Sequence, residues 1–505
     1  MQDTVQLGSV VVTGRRRSTS ALSAAPPTGF ALLRPVYCIA GGLVAGVALR
    51  YGGLEALTIT LAVLIGLWAF FEPHTALWLA TAFMMFLFVF FQTTAPLGED
   101  LPAEFLFWGL GVALITAGLL LATPFSRRVD WRRVRERAGT APCLAMFTLL
   151  LVMLASTVYG LAQGNRSFIV WRQLFGCILL PAYFALAIAL FRTPCDVDRW
   201  LRRVSWVTAL GSVWYVERLS LLSLAHGSYY REQSPLVAYG GAIAVVAWIE
   251  LIQRRGVLLW FQSLAQFPLC VLGILLMGNR TALGSFLAAV AVLTLLIVWK
   301  RRGLALALAV CLAPIAVGVS PYFLDRVLAS RGLVGQVADR FIFVLSEDQS
   351  YQGRVAQTAV VLDMVNRQPV LGAGMGSENS FVMPGEQHRL KVASVDNGWG
   401  FLLLKMGYVG LAVFLALVAA TLRTGLSNFT NICNAMLRAD RLAVLGVFLY
   451  ALVSFVSGPI FFHFSVAPFF GTFLGALVAL ARANSTAPVS AIPQPAAAKE
   501  EPCLS

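Results

Sequence analysis

Residues 127–163 read RRVDWRRVRERAGTAPCLAMFTLLLVMLASTVYGLAQ. Six arginines fall in the first eleven positions, and from Ala141 onward 23 residues pass without a charge. An α-helix rises about 1.5 Å per residue, so the uncharged run extends about 34 Å and crosses the roughly 30 Å of hydrocarbon in a bilayer. A lone run of this kind must span as a helix, because lipid offers no partner to backbone N–H and C=O groups. The same unit, an apolar run bounded by basic residues, recurs along the 505-residue chain, which is 58% hydrophobic and 12% charged. Soluble domains carry about a quarter charged residues. The expected fold is an all-α integral membrane protein.

Outward from that stretch, further apolar runs occupy residues 32–50, 54–71, 74–94, 104–125, 168–191, 204–225, 235–253, 257–277, 281–299, 303–320, 398–422, 442–458 and 461–481. With 141–163 they predict about fourteen transmembrane helices. When the spans alternate from an inside N-terminus, the basic connections all fall on one face: Arg127 to Arg137, Arg192 to Arg203, Arg254-Arg255, Lys300-Arg301-Arg302 and Arg423 to Arg441. The positive-inside bias makes that face cytoplasmic. The opposite face receives the acidic Gly98-Glu99-Asp100 turn and one long polar interval.

The expected organisation is a disordered cytoplasmic tail over residues 1–30, a transmembrane bundle over 31–320, a large periplasmic loop over 321–397, C-terminal transmembrane helices over 398–483 and a second disordered tail over 484–505. Both tails are rich in small and polar residues, and the first has no apolar segment before a small-residue cleavage site. Within the loop, Val355, Val360, Leu362 and Val365 recur at helical spacing. They predict a short amphipathic helix, opened by Arg354, that lies on the membrane or on the bundle. Pro369-Val-Leu-Gly-Ala-Gly-Met-Gly376 then breaks it.

The formal charge of +14 does not point to nucleic acid, because the basic residues sit in short clusters between apolar runs without an interleaved aromatic reading surface. The eight cysteines form no CxxC pair and the four histidines lie far apart, so no metal site is expected.

Charges near the outer leaflet need a partner or a function. Arg172, Arg231, Arg280 and Arg354 gather on that face, and a guanidinium fork matches phosphate oxygens while keeping its charge. The alternative is that they snorkel to headgroups. Arg280 and Arg354 stand apart, because each sits in a glycine-containing turn without another basic residue beside it. Glu217-Arg218 reads as local compensation. Gly372, Gly374 and Gly376 either present backbone to a phosphate or serve turn geometry. Asp396-Asn397-Gly398-Trp399 places a carboxylate, an amide and an aromatic ring able to stack on sugar where the loop rejoins the membrane. Asp396 also fits a helix N-cap. His388 is a reserve base. His226 resembles it, and His463 reads as a hydrogen-bonded structural histidine.

Three features resemble the bacterial O-antigen polymerase and O-antigen ligase superfamily. They are Gly278-Asn279-Arg280-Thr281-Ala282-Leu283, then Gly353-Arg354 with the following helix and Pro369 to Gly374, and then Asp396-Asn397 separated by nine residues from Gly407-Tyr408-Val409-Gly410. The resemblance implies a GT-C-like bundle and a glycosyltransferase that uses polyprenyl-pyrophosphate-linked oligosaccharide, without metal or other cofactor. It also implies a site facing the periplasm of the inner membrane, with membrane lipids, a chain-length regulator and export proteins as partners. Arg280 and Arg354 would bind the pyrophosphate, Asp396 and Asn397 would handle the acceptor hydroxyl, and Trp399 would contact sugar. Ligases of the family carry histidine where this chain has Asp396, which favours polymerisation of O-antigen or exopolysaccharide repeats over transfer of a finished glycan to lipid A core. A lipid-linked oligosaccharide flippase is the rival from another class. Transporters usually show repeated halves, and no internal repeat is evident here.

The one-sided arginines predict a topology that reporter fusions can check. Fusions after Arg137 and Arg302 should report cytoplasm and one at Glu378 periplasm; a cytoplasmic signal at Glu378 would invert the whole assignment.

Overall fold

The computed structural model describes residues 28–91, 103–126, 129–226, 235–253, 257–276, 280–298, 349–382, 389–392, 395–427 and 435–483. The expected span 303–320, Arg231 and His388 lie outside them. The chain divides into two compact units, residues 1–60 and 61–505. In the first, helix α1 (Thr28–Phe71) breaks at Gly53, where the sequence separates two apolar runs, and it exposes Leu43, Val44 and Val47.

In the second unit α1 is followed by α2 (Pro73–Phe91), α3 (Ala103–Phe125), a short basic α4 (Trp131–Ala138), α5 (Ala141–Ala162) and α6 (Ser167–Leu190). Next come α7 (Pro194–His226), α8 (Pro235–Gln253), α9 (Val257–Leu276) and α10 (Arg280–Val298). The loop supplies α11 (Gln349–Arg367) and an antiparallel hairpin of β1 (Asn379–Val382) and β2 (Arg389–Val392), with Asn379 opposite Val392. Helices α12 (Gly398–Leu426), α13 (Ala435–Ser454) and α14 (Ala467–Ala483) follow.

The fold is that of an all-α integral membrane protein; α5, α6 and α12 are long and apolar enough to cross a membrane, by length and composition. Helix α5 turns Leu144, Phe147, Leu151 and Val158 outward and buries Met146, Leu149, Met153, Ser156, Thr157 and Gly160. The outward face of α5 is thus largely apolar, and its smaller polar residues Ser156 and Thr157 face the rest of the protein. Helix α6 packs most extensively on α14, where Gly471 lies against the backbone of Leu180 and Phe184.

Helix α7 starts at Pro194 rather than near residue 204 as the hydropathy suggested. Its first turn is set by a reciprocal cap in which Thr193 N–H donates to the Asp196 carboxylate at 2.9 Å and Asp196 N–H donates to Thr193 Oγ1 at 3.3 Å. Such a box starts a helix in water, ahead of the apolar segment. Two arginines of the basic clusters are likewise spent on helix ends. Arg137 donates to the carbonyls of Ile188 at 2.7 Å and Phe191 at 2.5 Å beyond the close of α6, and Arg441 donates to the carbonyls of Thr424 and Ser427 at the close of α12.

The feature that positions the loop is a break in α12 at Gly407, with φ 62° and ψ −162°. In an unbroken helix Tyr408 and Val409 would donate to Leu404 and Lys405. Here Tyr408 N–H donates to Pro369 O at 2.9 Å and Val409 N–H to Val370 O at 3.3 Å. The two carbonyls thereby freed find replacements: Leu404 O accepts from Ala373 N–H at 2.8 Å, and Lys405 O accepts from Ser156 Oγ. The segment after α11 therefore completes the hydrogen bonding of an interrupted helix, which membrane-depth backbone requires.

A methyl at Gly407 would stand 2.3 Å from Val370 O, and the backbone angle is open only to glycine. Gly407→Ala should cost at least about 2 kcal/mol and lower the melting temperature of the purified protein. Gly164→Ala is the control, with positive φ but open space around it, and should cost about 1 kcal/mol. Equal stability of the two variants would refute the proposed docking at the break.

Candidate active site

Helix α11 buries Gly353, Gln357, Val361 and Val365, whereas Val355 and Leu362 point outward. The predicted apolar stripe is thus split: Val365 packs inward, while Val355 and Leu362 form an outer apolar face. The inward face is centred on a glutamine, which apolar periodicity cannot reveal. The helix also begins at Gln349, so Arg354 lies in its second turn rather than at its opening. Gly353 does not interrupt it; a glycine inside a helix costs about 1 kcal/mol, within reach of packing to repay.

Arg354 is half-buried, and its Nε is sealed from solvent without a hydrogen-bond partner. Its guanidinium makes no ion pair among the described residues, in contrast to Arg367 on the same helix, which holds Asp363 at 2.6 Å. One turn after Arg354, the carboxamide of Gln357 donates to Asn379 Oδ1 at 3.2 Å and accepts from Asp396 N–H at 3.0 Å. Gln357 and Asn379 are both buried. The Asp396 side chain is exposed, with no hydrogen bond or ion pair to its carboxylate among the described residues.

The capping role expected of Asp396 belongs to Asn397, whose Oδ1 accepts from Trp399 N–H at 3.0 Å. The cap leaves Asn397 its Nδ2 for any other contact. Trp399 stands edge-on to Phe414 and Phe455, with ring centroids 5.9 and 5.1 Å away. The indole belongs to an aromatic cluster rather than to an open sugar platform.

The glycine turn is committed to protein. Gly372, Gly374 and Gly376 have φ of 64°, 79° and 80°. Three amides that a phosphate would need already donate elsewhere: Ala373 to Leu404 O at 2.8 Å, Met375 to Ser156 O at 3.1 Å and Gly376 to Gln173 Oε1 at 2.8 Å. Asn165 Nδ2 donates to Ala373 O at 3.1 Å and Met375 O at 2.9 Å. Close approach and turn geometry explain the glycines, since a methyl on Gly374 would fall 2.7 Å from Gly160 Cα.

Lys405 was not singled out in the sequence. It is fully buried in α12 and donates to Ser377 Oγ at 3.1 Å and to the Ser377 carbonyl, tying down the exit of the turn. A lone lysine in an apolar span was the available signal. Arg172 is half-buried in α6 and lies within electrostatic reach of Lys405. The backbone places Arg280 as the first residue of α10. His463 Nδ1 meets Ser465 Oγ at 2.8 Å and the ring stacks on Phe464, as a structural histidine would.

Residues 264–415 match the family described as O-antigen ligase. The match supports a membrane enzyme of O-antigen ligase and polymerase type. No curated protein sequence matches the chain. The matched segment runs from within α9 past the Gly407 break, so it takes in Arg280, Arg354, the glycine turn and Asp396.

Asn165 supports the turn from outside that segment, so its loss should act on the turn alone. Asn165→Leu removes two hydrogen bonds and should cost about 2 kcal/mol. Amide hydrogen exchange over residues 372–377 should accelerate; unchanged protection would mean that the turn stands without Asn165.

Proposed function

We propose that this enzyme polymerises polyprenyl-pyrophosphate-linked oligosaccharide repeats into O-antigen or exopolysaccharide, with its site at the periplasmic face of the bacterial inner membrane. The observation that carries the reading is that the segment matching the O-antigen ligase family holds a guanidinium at Arg354 and a carboxylate at Asp396 that make no ion pair among the described residues, with Gln357, one turn from Arg354, accepting from the Asp396 N–H.

The acceptor sugar hydroxyl attacks the anomeric carbon of the donor as its proton passes to Asp396. The new glycosidic C–O bond forms while the bond from that carbon to the pyrophosphate oxygen breaks, and polyprenyl pyrophosphate leaves with the electron pair. Arg354 and Arg280 stabilise the charge that develops on it, the part a divalent cation plays in other enzymes. Arg172 adds positive potential from α6. The donor is already activated, so the reaction needs no nucleotide.

A ligase that transfers glycan to lipid A core is the second reading, favoured by the description of the matched family. Asp396 favours polymerisation, because it stands where ligases of the family carry histidine. A chain-length regulator and export proteins would act alongside a polymerase.

Asp396→Asn is a clean substitution, because the helix cap is Asn397 and the Gln357 contact uses the backbone of residue 396. At matched membrane abundance it should lower turnover by about 10²–10⁴-fold, and Asp396→His should restore part of it. Arg280→Lys and Arg354→Lys keep the charge but lose the fork, so polymer should fall strongly. Full polymer output from Asp396→Asn would remove the general-base assignment.

A further inference from the structure

Among the described side chains of α11, Gln357 is the polar one that is fully buried on the inward face, flanked there by Gly353 and Val361. A buried carboxamide is costly unless both of its ends are engaged. Both are: Nε2 reaches Asn379 Oδ1 at the start of β1, and Oε1 receives the Asp396 N–H. The backbone N–H can only donate, which fixes the orientation of the amide. The partners come from segments 22 and 39 residues away in sequence. One side chain therefore joins three pieces of the loop: the helix that carries Arg354, the hairpin and the residue that carries the carboxylate.

Val361 and Val365 hold the rest of the same face by apolar contact. A leucine at 357 would extend that packing but would leave the buried Asn379 Oδ1 and the Asp396 N–H without this partner, so the amide contributes to folding as well. What the amide adds is direction, because a hydrogen bond to the 396 N–H fixes the backbone from which the Asp396 side chain projects. Arg354 is one turn away on the same helix.

We propose that Gln357 is a positioning residue that sets the carboxylate of Asp396 in register with the guanidinium of Arg354, so that acceptor activation and leaving-group stabilisation meet at one anomeric carbon. This rests on the transferase reading given above. Misplacement by about 1 Å at a reacting centre costs about 10²-fold in rate. The loss should fall on turnover, because Arg354 and Arg280 are still present to bind the donor.

Two variants of the full-length protein in lipid nanodiscs, given a lipid-linked repeat as donor and acceptor, separate this from a structural role. Gln357→Leu removes both hydrogen bonds at near-equal volume; per folded molecule, kcat should fall about 10²-fold while the KM for donor stays within about threefold. Gln357→Glu keeps an acceptor for the Asp396 N–H but sets a carboxylate one turn from Arg354, so kcat should be largely retained and the donor KM should rise. A structural role would move both variants the same way, through folded fraction and melting temperature, with wild-type kcat per folded molecule. Wild-type kcat in folded Gln357→Leu, or equal kcat losses in the two variants, would overturn the positioning role. A fully active Asp396→Asn would overturn the transferase reading beneath it. If Gln357→Leu does not fold, the contrast between kcat and KM in Gln357→Glu still decides.

Discussion

A membrane-depth backbone amide has nowhere to turn but protein, and the loop of this enzyme is organised by that constraint. At Gly407 the twist of α12 is interrupted and two N–H groups, those of Tyr408 and Val409, lose their helical acceptors. Pro369 and Val370 take them, and Ala373 and Ser156 satisfy the carbonyls left behind. Each buried polar group left unmade costs about 1–3 kcal/mol, so four such groups would cost enough to erase the stability of a domain. Break and turn therefore stand or fall together. The segment that leaves α11 is as firmly placed as the helix it completes.

The candidate site inherits its position from this junction. Once residues 369–376 are seated, α11 is held at its C-terminal end by the turn and along its length by Val361 and Val365. Lys405, two residues before the break, holds Ser377 just ahead of β1. Gln357 then links β1 and the start of α12 back to α11. The loop touches α5, α6 and the turn between them through the side chains of Ser156, Gln173 and Asn165. Among the described residues the exposed carboxylate of Asp396 and the guanidinium of Arg354 make no ion pair.

Much of the architecture was legible because hydrocarbon thickness imposes a long, simple signal. Runs without charge marked most of the helices, and helical spacing found α11. Motifs in the loop were visible as motifs, but their relation was not: Pro369 to Gly376 and Gly407 to Gly410 are two halves of one backbone exchange, and periodicity carries no information about such pairing. The hairpin was missed because four-residue strands are too short to show alternation. Trp399 and the three glycines read as ligand contacts since an aromatic ring and a glycine-rich turn look alike whether they serve substrate or packing. The partners of Trp399, Phe414 and Phe455, come from α12 and the 3-10 turn after α13, which no local reading brings together. Gln357 was passed over because a glutamine on an amphipathic helix ordinarily faces water.

The family match supports an enzyme of O-antigen ligase and polymerase type, and in the proposed reaction, whether polymerase or ligase, a lipid-linked glycan is handed to a hydroxyl. What differs is the molecule that presents the hydroxyl. The most direct measurement supplies purified enzyme in lipid nanodiscs with a polyprenyl-pyrophosphate-linked repeat, alone and with lipid A core, and sizes the glycan products. Polymerisation predicts a ladder of lengthened lipid-linked glycans from the repeat alone, with release of polyprenyl pyrophosphate. Transfer only to lipid A core, or no covalent product at all, would contradict it.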